Sequence, residues 1–283
     1  MENETHRPYR HIDVHRIAGA LGAEIGGVDA ARALGDEAVV EIRRALLEHL
    51  VVVFRGQKLA PQEQLAFAQR FGEPMEYPQL KGLPECPLVT LVIKREHERV
   101  NFGGIWHSDT TYLERPPMAS MLYAVELPPY GGDTLFANQY LAYETLSEGL
   151  KQVLAGLTGI NASTKADASK TREDRLRDSG AELKVLVGEH PVVRTHPETG
   201  RKALYVNVGH TAQFKGWTEQ ESRPLLEYLF QHQIRPEFTC RLRWEPGSLA
   251  FWDNRCTQHN PVNDYHGFRR VMHRVTLAGG TPR

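Results

Sequence analysis

From Leu88 onward the chain is a succession of short β-type runs: Leu88 to Ile93, Ala119 to Val125, Ala203 to Val206, Thr239 to Trp244, Leu249 to Trp252 and Val271 to Leu277. They are too short for ordinary helices, and many are separated by turn-forming residues, so they read as strands. Pro197-Glu198-Thr199-Gly200 predicts a hairpin, and Pro246-Gly247 predicts another turn. Many short strands that must bring distant residues together suit a double-sheet jelly roll, where such residues meet at one mouth of the sandwich.

Helices are expected around that core. Asp36 to Leu50 carries Val39, Val40, Ile42, Leu46, Leu47 and Leu50 at helical spacing, then runs into the buried strand Val51-Val52-Val53-Phe54, ended by Gly56. Pro61 opens a second helix through Leu65, Phe67, Ala68 and Phe71, with Gly72 as its stop. Two helical inserts, Tyr140 to Leu157 and Thr218 to Gln233, interrupt the strands. The expected class is mainly β with flanking helices (α+β), one domain over residues 1–283 with a double-stranded β-helix (jelly-roll, cupin-like) core. Within it, residues 163–189 are rich in charge, with Lys165, Asp167, Lys170, Arg172, Glu173, Asp174 and Arg175. They read as a solvated insertion, either a lid over the active site or a plain charged surface segment.

Composition narrows the function classes. Apolar content of 41% and charged content of 24% over 283 residues are ordinary for a globular chain with a substantial core. A formal net charge of -1 supplies no basic field for nucleic acid or an anionic membrane. No apolar stretch is long enough to span a bilayer, and Met1 to Arg7 lacks the apolar run of a signal peptide. Cys86, Cys240 and Cys256 are odd in number and widely spaced, so neither a disulfide framework nor a zinc ribbon is expected. A soluble cytoplasmic protein acting on a small molecule is the expectation, with no nucleic-acid or membrane partner.

The chemistry-bearing pattern is Trp106-His107-Ser108-Asp109, followed far downstream by Gln258-His259. Residues two apart on an extended strand share a face, so His107 and Asp109 can reach one ion together, leaving the third ligand to a distant strand. Two histidines and one carboxylate on one side of a metal leave its other positions open, the arrangement that suits iron(II) oxygenases. An isolated His-x-Asp triplet is more often an ordinary polar pair. The order His, Asp, distant His, then Arg270 is far more specific.

With Gly131-Gly132-Asp133-Thr134, His190 to Pro197, Trp252-Asp253-Asn254, Thr257-Gln258-His259 and Arg269 to Arg274, the chain resembles the taurine and 2,4-dichlorophenoxyacetate dioxygenase family, from about Ile12 to the C-terminus. The resemblance implies Fe(2+), with 2-oxoglutarate and O2 as co-substrates, held by His107, Asp109 and His259. It also implies that Arg270 and Thr134 bind the distal carboxylate of 2-oxoglutarate, for which a guanidinium is a planar, permanently charged counterpart. Taken alone, Arg270 would read as a surface arginine and Thr134 as a turn or strand residue. A homo-oligomer, dimer or tetramer, is the assembly the resemblance suggests. A carboxylate at position 109 rather than a small residue argues for hydroxylation over halogenation.

For substrate, Arg274 matches the position that binds a sulfonate in the taurine enzyme, so an anion is expected; the alternative is a structural arginine in a strand. Tyr77, Gly103 and His210 depart from the taurine pattern and point to a larger or differently polarised molecule. Gly103 removes side-chain bulk, while Tyr77 and His210 offer aromatic or hydrogen-bonding contact. The expected activity is hydroxylation of a small anionic compound of sulfonate, sulfate ester or aryloxy/carboxylate type, with C–S or C–O cleavage following where the adduct is unstable, and succinate and CO2 as co-products. The competing readings are a non-catalytic jelly-roll metal-binding protein and a zinc hydrolase.

Overall fold

The computed structural model describes residues 8–78, 80–165 and 185–283. The first third runs β1 (Asp13–Arg16), β2 (Ala23–Gly26), α1 (Asp36–His49), β3 (Val51–Phe54), α2 (Pro61–Gln69), β4 (Pro74–Met75), β5 (Gly82–Leu83) and β6 (Cys86–Lys94). The middle holds β7 (Ala119–Glu126), β8 (Thr134–Asn138), α3 (Gln139–Glu144), α4 (Glu148–Ala155), β9 (Thr158–Ala162), β10 (Val187–Pro191), β11 (Val193–Thr195) and β12 (Lys202–Leu204). Last come β13 (Thr211–Phe214), α5 (Glu219–His232), β14 (Thr239–Leu242), β15 (Leu249–Asp253), β16 (Thr257–Pro261) and β17 (Arg270–Leu277).

The large sheet has the order β1-β2-β3-β15-β7-β17-β6-β5, with β4 also pairing β17. Only β2 and β3 pair in parallel within it. Facing it is the small sheet β14-β8-β16. Side-chain alternation sorts the large sheet's two faces. Val52, Phe54, Met121, Phe251, Val275 and Leu277 pack outward against α1 and α2, with Ile42, Leu46 and Phe67. Val51, Val53, Ala124, Ala250, Trp252 and Met272 face inward, where they meet Phe136, Cys240 and Leu242 of the small sheet. Burial on both faces explains why Val51 to Phe54 is apolar without alternation. A third cluster, with Val206, Phe214, Leu226 and Leu229, packs α3 to α5 beside the sandwich.

The mainly β reading with flanking helices holds, and so does the jelly-roll core. The Tyr140 to Leu157 insert is two helices rather than one. Thr145 closes α3, and Ser147 opens α4 by accepting a hydrogen bond from the Leu150 N–H at 3.3 Å. The Pro197 to Gly200 hairpin joins β11 to β12, with Gly200 at φ 69°. The expected insertion leaves and rejoins the fold at the paired ends of β9 and β10, Ala162 opposite Val187; residues 166–184 of it lie outside the described residues. No helix among the described residues is long and apolar enough to cross a membrane. Cys86, Cys240 and Cys256 are all buried free thiols.

Candidate metal centre

His107 and His259 meet across a strand pair. Each backbone N–H donates to the other's carbonyl, at 3.0 and 2.8 Å, so the chain at His107 adds to the outer edge of β16. Directly opposed residues of an antiparallel pair project to the same face. The two imidazole centroids accordingly lie 4.2 Å apart. Ser108 ties the same junction, its hydroxyl donating to the Thr257 carbonyl at 2.7 Å.

The spacing of His107 and Asp109 predicts one extended strand, and here the structure corrects the expectation. Only His107 pairs; Asp109 opens a turn, and Thr110 sits at φ 42°. It is the turn that brings the carboxylate back beneath the histidines. Asp109 Oδ1 lies 3.7 Å from His107 Nε2 and 3.8 Å from His259 Nε2. One donor atom from each residue falls within 4.8 Å of the others.

Hydrogen bonding leaves that face free. His107 Nδ1 lies 2.6 Å from the Ile105 carbonyl, which can only accept, so the proton sits on Nδ1 and the Nε2 lone pair faces Asp109. Asp109 Oδ1 is buried with no hydrogen-bond partner. Its Oδ2 accepts from Ser120 Oγ at 2.8 Å and from an Arg274 guanidinium nitrogen. Ser120 Oγ in turn accepts from Asn254 Nδ2 at 3.0 Å, and Asn254 Oδ1 accepts from Trp252 Nε1 at 2.9 Å. Burial pushes both histidines below their ordinary value, His259 further because His107 lies beside it. For Asp109, burial favours the neutral acid, but the Arg274 guanidinium outweighs it by charge and hydrogen bond and holds the carboxyl well below the usual range. Two neutral imidazoles and one carboxylate, with an orphaned oxygen between them, fit a divalent metal ion.

Close packing fixes the first histidine. Gly103, at φ 71°, lies so near the His107 ring that a Cβ there would stand 3.0 Å from Cε1. A Cβ at Gly209 would come within 2.9 Å of His107 Cβ. Trp252 backs the His259 ring at a centroid distance of 4.9 Å.

Beside the ligands a cavity opens between the sheets, lined on one side by Thr134, Trp244, Arg270, Val92 and Leu122. Arg270 is 5% exposed, not the surface arginine that the residue alone would suggest. Its Nε and Nη2 are buried without a hydrogen-bond partner. Thr134 Oγ1 accepts from Trp244 Nε1 at 3.0 Å, which leaves its own proton to donate. A carboxylate fits between these donors.

Arg274 lies against Tyr77, whereas Gly103 and His210 lie beside His107. The Arg274 guanidinium lies 4.9 Å from the Tyr77 ring and 5.7 Å from Trp252, with its charge directed at Asp109. The His210 ring stands 6.0 Å from His107 and 5.0 Å from Tyr112. Cys256 lies in a second cluster with His196 and Asp253. That cluster is closed: His196 Nδ1 accepts from the Glu198 and Thr199 N–H groups, so Nε2 donates to Asp253 at 3.0 Å. Arg255 occupies both Asp253 oxygens. Ser120, Asn254, Gly209 and Tyr112 were not read from the sequence as site residues. The one available signal was Asn254, inside the Trp252-Asp253-Asn254 run.

The family model described as "Taurine catabolism dioxygenase TauD, TfdA family" matches residues 13–276. An α-ketoglutarate-dependent sulfate ester dioxygenase of Pseudomonas putida is 39% identical, over 96% of this chain and 91% of that one. An alkylsulfatase of Acinetobacter baylyi is 36% identical, over 96% and 86%. The crystal structure of a taurine dioxygenase from Burkholderia xenovorans superposes with a TM-score of 0.83 at 40% identity, covering 96% of this chain and 91% of the other.

Proposed function

The chain belongs to the taurine catabolism dioxygenase TauD, TfdA family, and we propose that it is the iron(II)- and 2-oxoglutarate-dependent dioxygenase of a small sulfate ester. The observation that carries the oxygenase reading is the orphaned Asp109 Oδ1, set 3.7 and 3.8 Å from two histidine Nε2 atoms. His107, Asp109 and His259 would hold the iron, and Arg270 with Thr134 would hold the distal carboxylate of 2-oxoglutarate. When bound, iron with 2-oxoglutarate and O2 supplies the oxidant that hydroxylates a C–H bond, releasing succinate and CO2. A non-catalytic metal protein or a zinc hydrolase would give the unpartnered Arg270 donors no task.

The protein's own work is positioning and exclusion of water. Ser120 and Arg274 hold the outer oxygen of Asp109, leaving the inner one to the metal. Phe102, Trp252 and Leu122 keep the wall apolar. An anionic head group reaches the centre at Arg274, beside Tyr77 and His210, and shares that guanidinium with Asp109. The cavity's Phe102, Trp252 and Leu122 wall suits an uncharged alkyl tail better than the ammonium of taurine. The two sulfate-ester-type relatives named above support the same choice. Hydroxylation of the carbon next to a sulfate ester gives R–CH(OH)–O–SO3⁻, which collapses to an aldehyde and hydrogen sulfate. A cytoplasmic setting suits three free thiols. A homo-oligomer remains part of this reading, to be checked by light scattering.

The test is anaerobic addition of iron(II), then 2-oxoglutarate, followed by aerobic turnover with an alkyl sulfate, taurine or an aryloxyacetate. The weak visible charge-transfer band of the chelate is expected in wild type and weakened in Arg270→Ala and His259→Ala. Sulfate should appear in step with succinate from the alkyl sulfate. Normal metal binding without the band would sink the oxygenase reading. Turnover of taurine or the aryloxyacetate in preference would overturn the substrate class alone.

A further inference from the structure

Lys94 ends β6 directly opposite Arg270 in the β6–β17 register. Directly paired residues of two antiparallel strands project to the same face. Lys94 is 2% exposed, and its Nζ is buried with no hydrogen-bond partner. It rests 4.6 Å above the Tyr265 ring, and Tyr265 is itself 1% exposed and sits beside Arg270: a Cβ at Gly132 would meet Tyr265 Cδ1 and Arg270 Cδ, each at 3.3 Å. Two buried cations thus sit directly opposed on β6 and β17 beside one aromatic ring, and Arg270 of the two lines the cavity.

No carboxylate is hydrogen-bonded to either among the described residues. Asp133 accepts from Arg241 at 2.6 Å. Asp264 accepts from the Gly132 N–H at 2.7 Å, and its other oxygen lies 3.6 Å from Arg241. A buried ammonium without an anion is costly, a neighbouring guanidinium makes it more so, and a tyrosine face offsets only part of that cost. Such a pair is best accounted for as one half of a site whose other half arrives as an anion.

Resting on the co-substrate reading above, we propose that Lys94 is a positioning and specificity residue for the 2-oxo acid. Through Tyr265 it fixes the Arg270 guanidinium, and its charge makes this end of the cavity prefer a molecule with a distal carboxylate over one that ends in a methyl group. Lys94 touches neither the metal ligands nor the reacting carbon.

Titration calorimetry on the Mn(II)-loaded full chain tests this, with 2-oxoglutarate and 2-oxovalerate, the same skeleton with methyl in place of the distal carboxylate. Lys94→Met should weaken 2-oxoglutarate about tenfold, the scale of about 1.4 kcal/mol for losing a neighbouring charge. It should leave Mn(II) and 2-oxovalerate affinities unchanged, and Lys94→Arg should recover much of the loss. A merely structural lysine would shift both 2-oxo acids equally, and that outcome, or unchanged 2-oxoglutarate affinity, overturns the inference. Should Lys94→Met fail to fold, Lys94→Gln removes the charge while keeping a polar end and gives the same comparison. Wild type that binds Mn(II) but not 2-oxoglutarate overturns the co-substrate reading, and this inference with it. Wild-type binding matched by the variants overturns this inference alone.

Discussion

Gly103 shows how one residue can govern a ligand it never bonds. Its φ of 71° already favours glycine, and a Cβ would stand 3.0 Å from His107 Cε1 and 3.4 Å from Nε2, the nitrogen aimed at Asp109. Gly103→Ala should therefore lose about 1 to 2 kcal/mol of stability from the backbone alone, and also displace the imidazole. Mn(II) affinity, by equilibrium titration, is expected to fall about tenfold, as when a ligand's support is disturbed. Unchanged affinity would show that the ring can shift at no expense to the site. The sequence marked Gly103 only as missing bulk. The proposed ligands themselves were legible because histidine, aspartate and arginine are chemically distinctive in that order. Ser120 and Gly209 were not, because serine and glycine occur everywhere, and only the folded neighbourhood gives them a task.

Among the elements, β16 depends most on its neighbours. Thr257-Gln258-His259-Asn260-Pro261 has little strand propensity, yet it pairs β8 along its length and takes His107 on its other edge. Ser108 fastens that second edge through its bond to the Thr257 carbonyl. Ser108→Ala should cost about 1 kcal/mol in urea unfolding and weaken Mn(II) binding several-fold, because the bridge sets the distance between the two histidines. A stability loss with no change in metal affinity would mean the backbone bridge alone fixes them. The same dependence on partners explains why β16 escaped the sequence reading while β3, β7 and β15, rich in apolar and aromatic residues, did not. The split between α3 and α4 was missed for another reason: the apolar spacing continues across it, while a local cap at Ser147 decides the break.

At the scale of the whole molecule, an ion network, buried at Asp253, His196 and Arg255, binds the layers. Asp253, at the end of β15, pairs Arg255 at 2.6 Å and His196 at 3.0 Å; Arg255 reaches Glu198 in the β11–β12 hairpin, and Glu198 reaches Arg43 of α1 at 2.9 Å. Although burial alone would raise them, Arg255 and its neighbours hold the Asp253 and Glu198 carboxyls below their ordinary values. Folded-state values lower than unfolded ones stabilise the protein above the unfolded carboxylate range, and that stability is lost as pH falls through it toward the folded values. The metal-free wild type should lose melting temperature steeply between about pH 5 and about pH 3. Asp253→Asn should be less stable by about 3 kcal/mol near neutrality, since Arg255 loses a buried partner, and should show a shallower acid slope. An identical slope in the variant would place the acid sensitivity elsewhere.

By itself the sequence determined the class of fold, and it singled out the proposed ligand set, the two arginines and the aromatic and histidine positions proposed around them. Those signals lie in residue chemistry and in local periodicity, which need no partner to be read. Tertiary structure decided the rest. It set the turn at Asp109 in place of a strand, the pairing of Arg274 with that carboxylate, the closure of the His196 and Asp253 cluster, and the burial of Lys94 beside Arg270. Each of these depends on which distant residues share a wall, and residues as far apart as Asp109 and Arg274 become neighbours only when the two sheets close on one another.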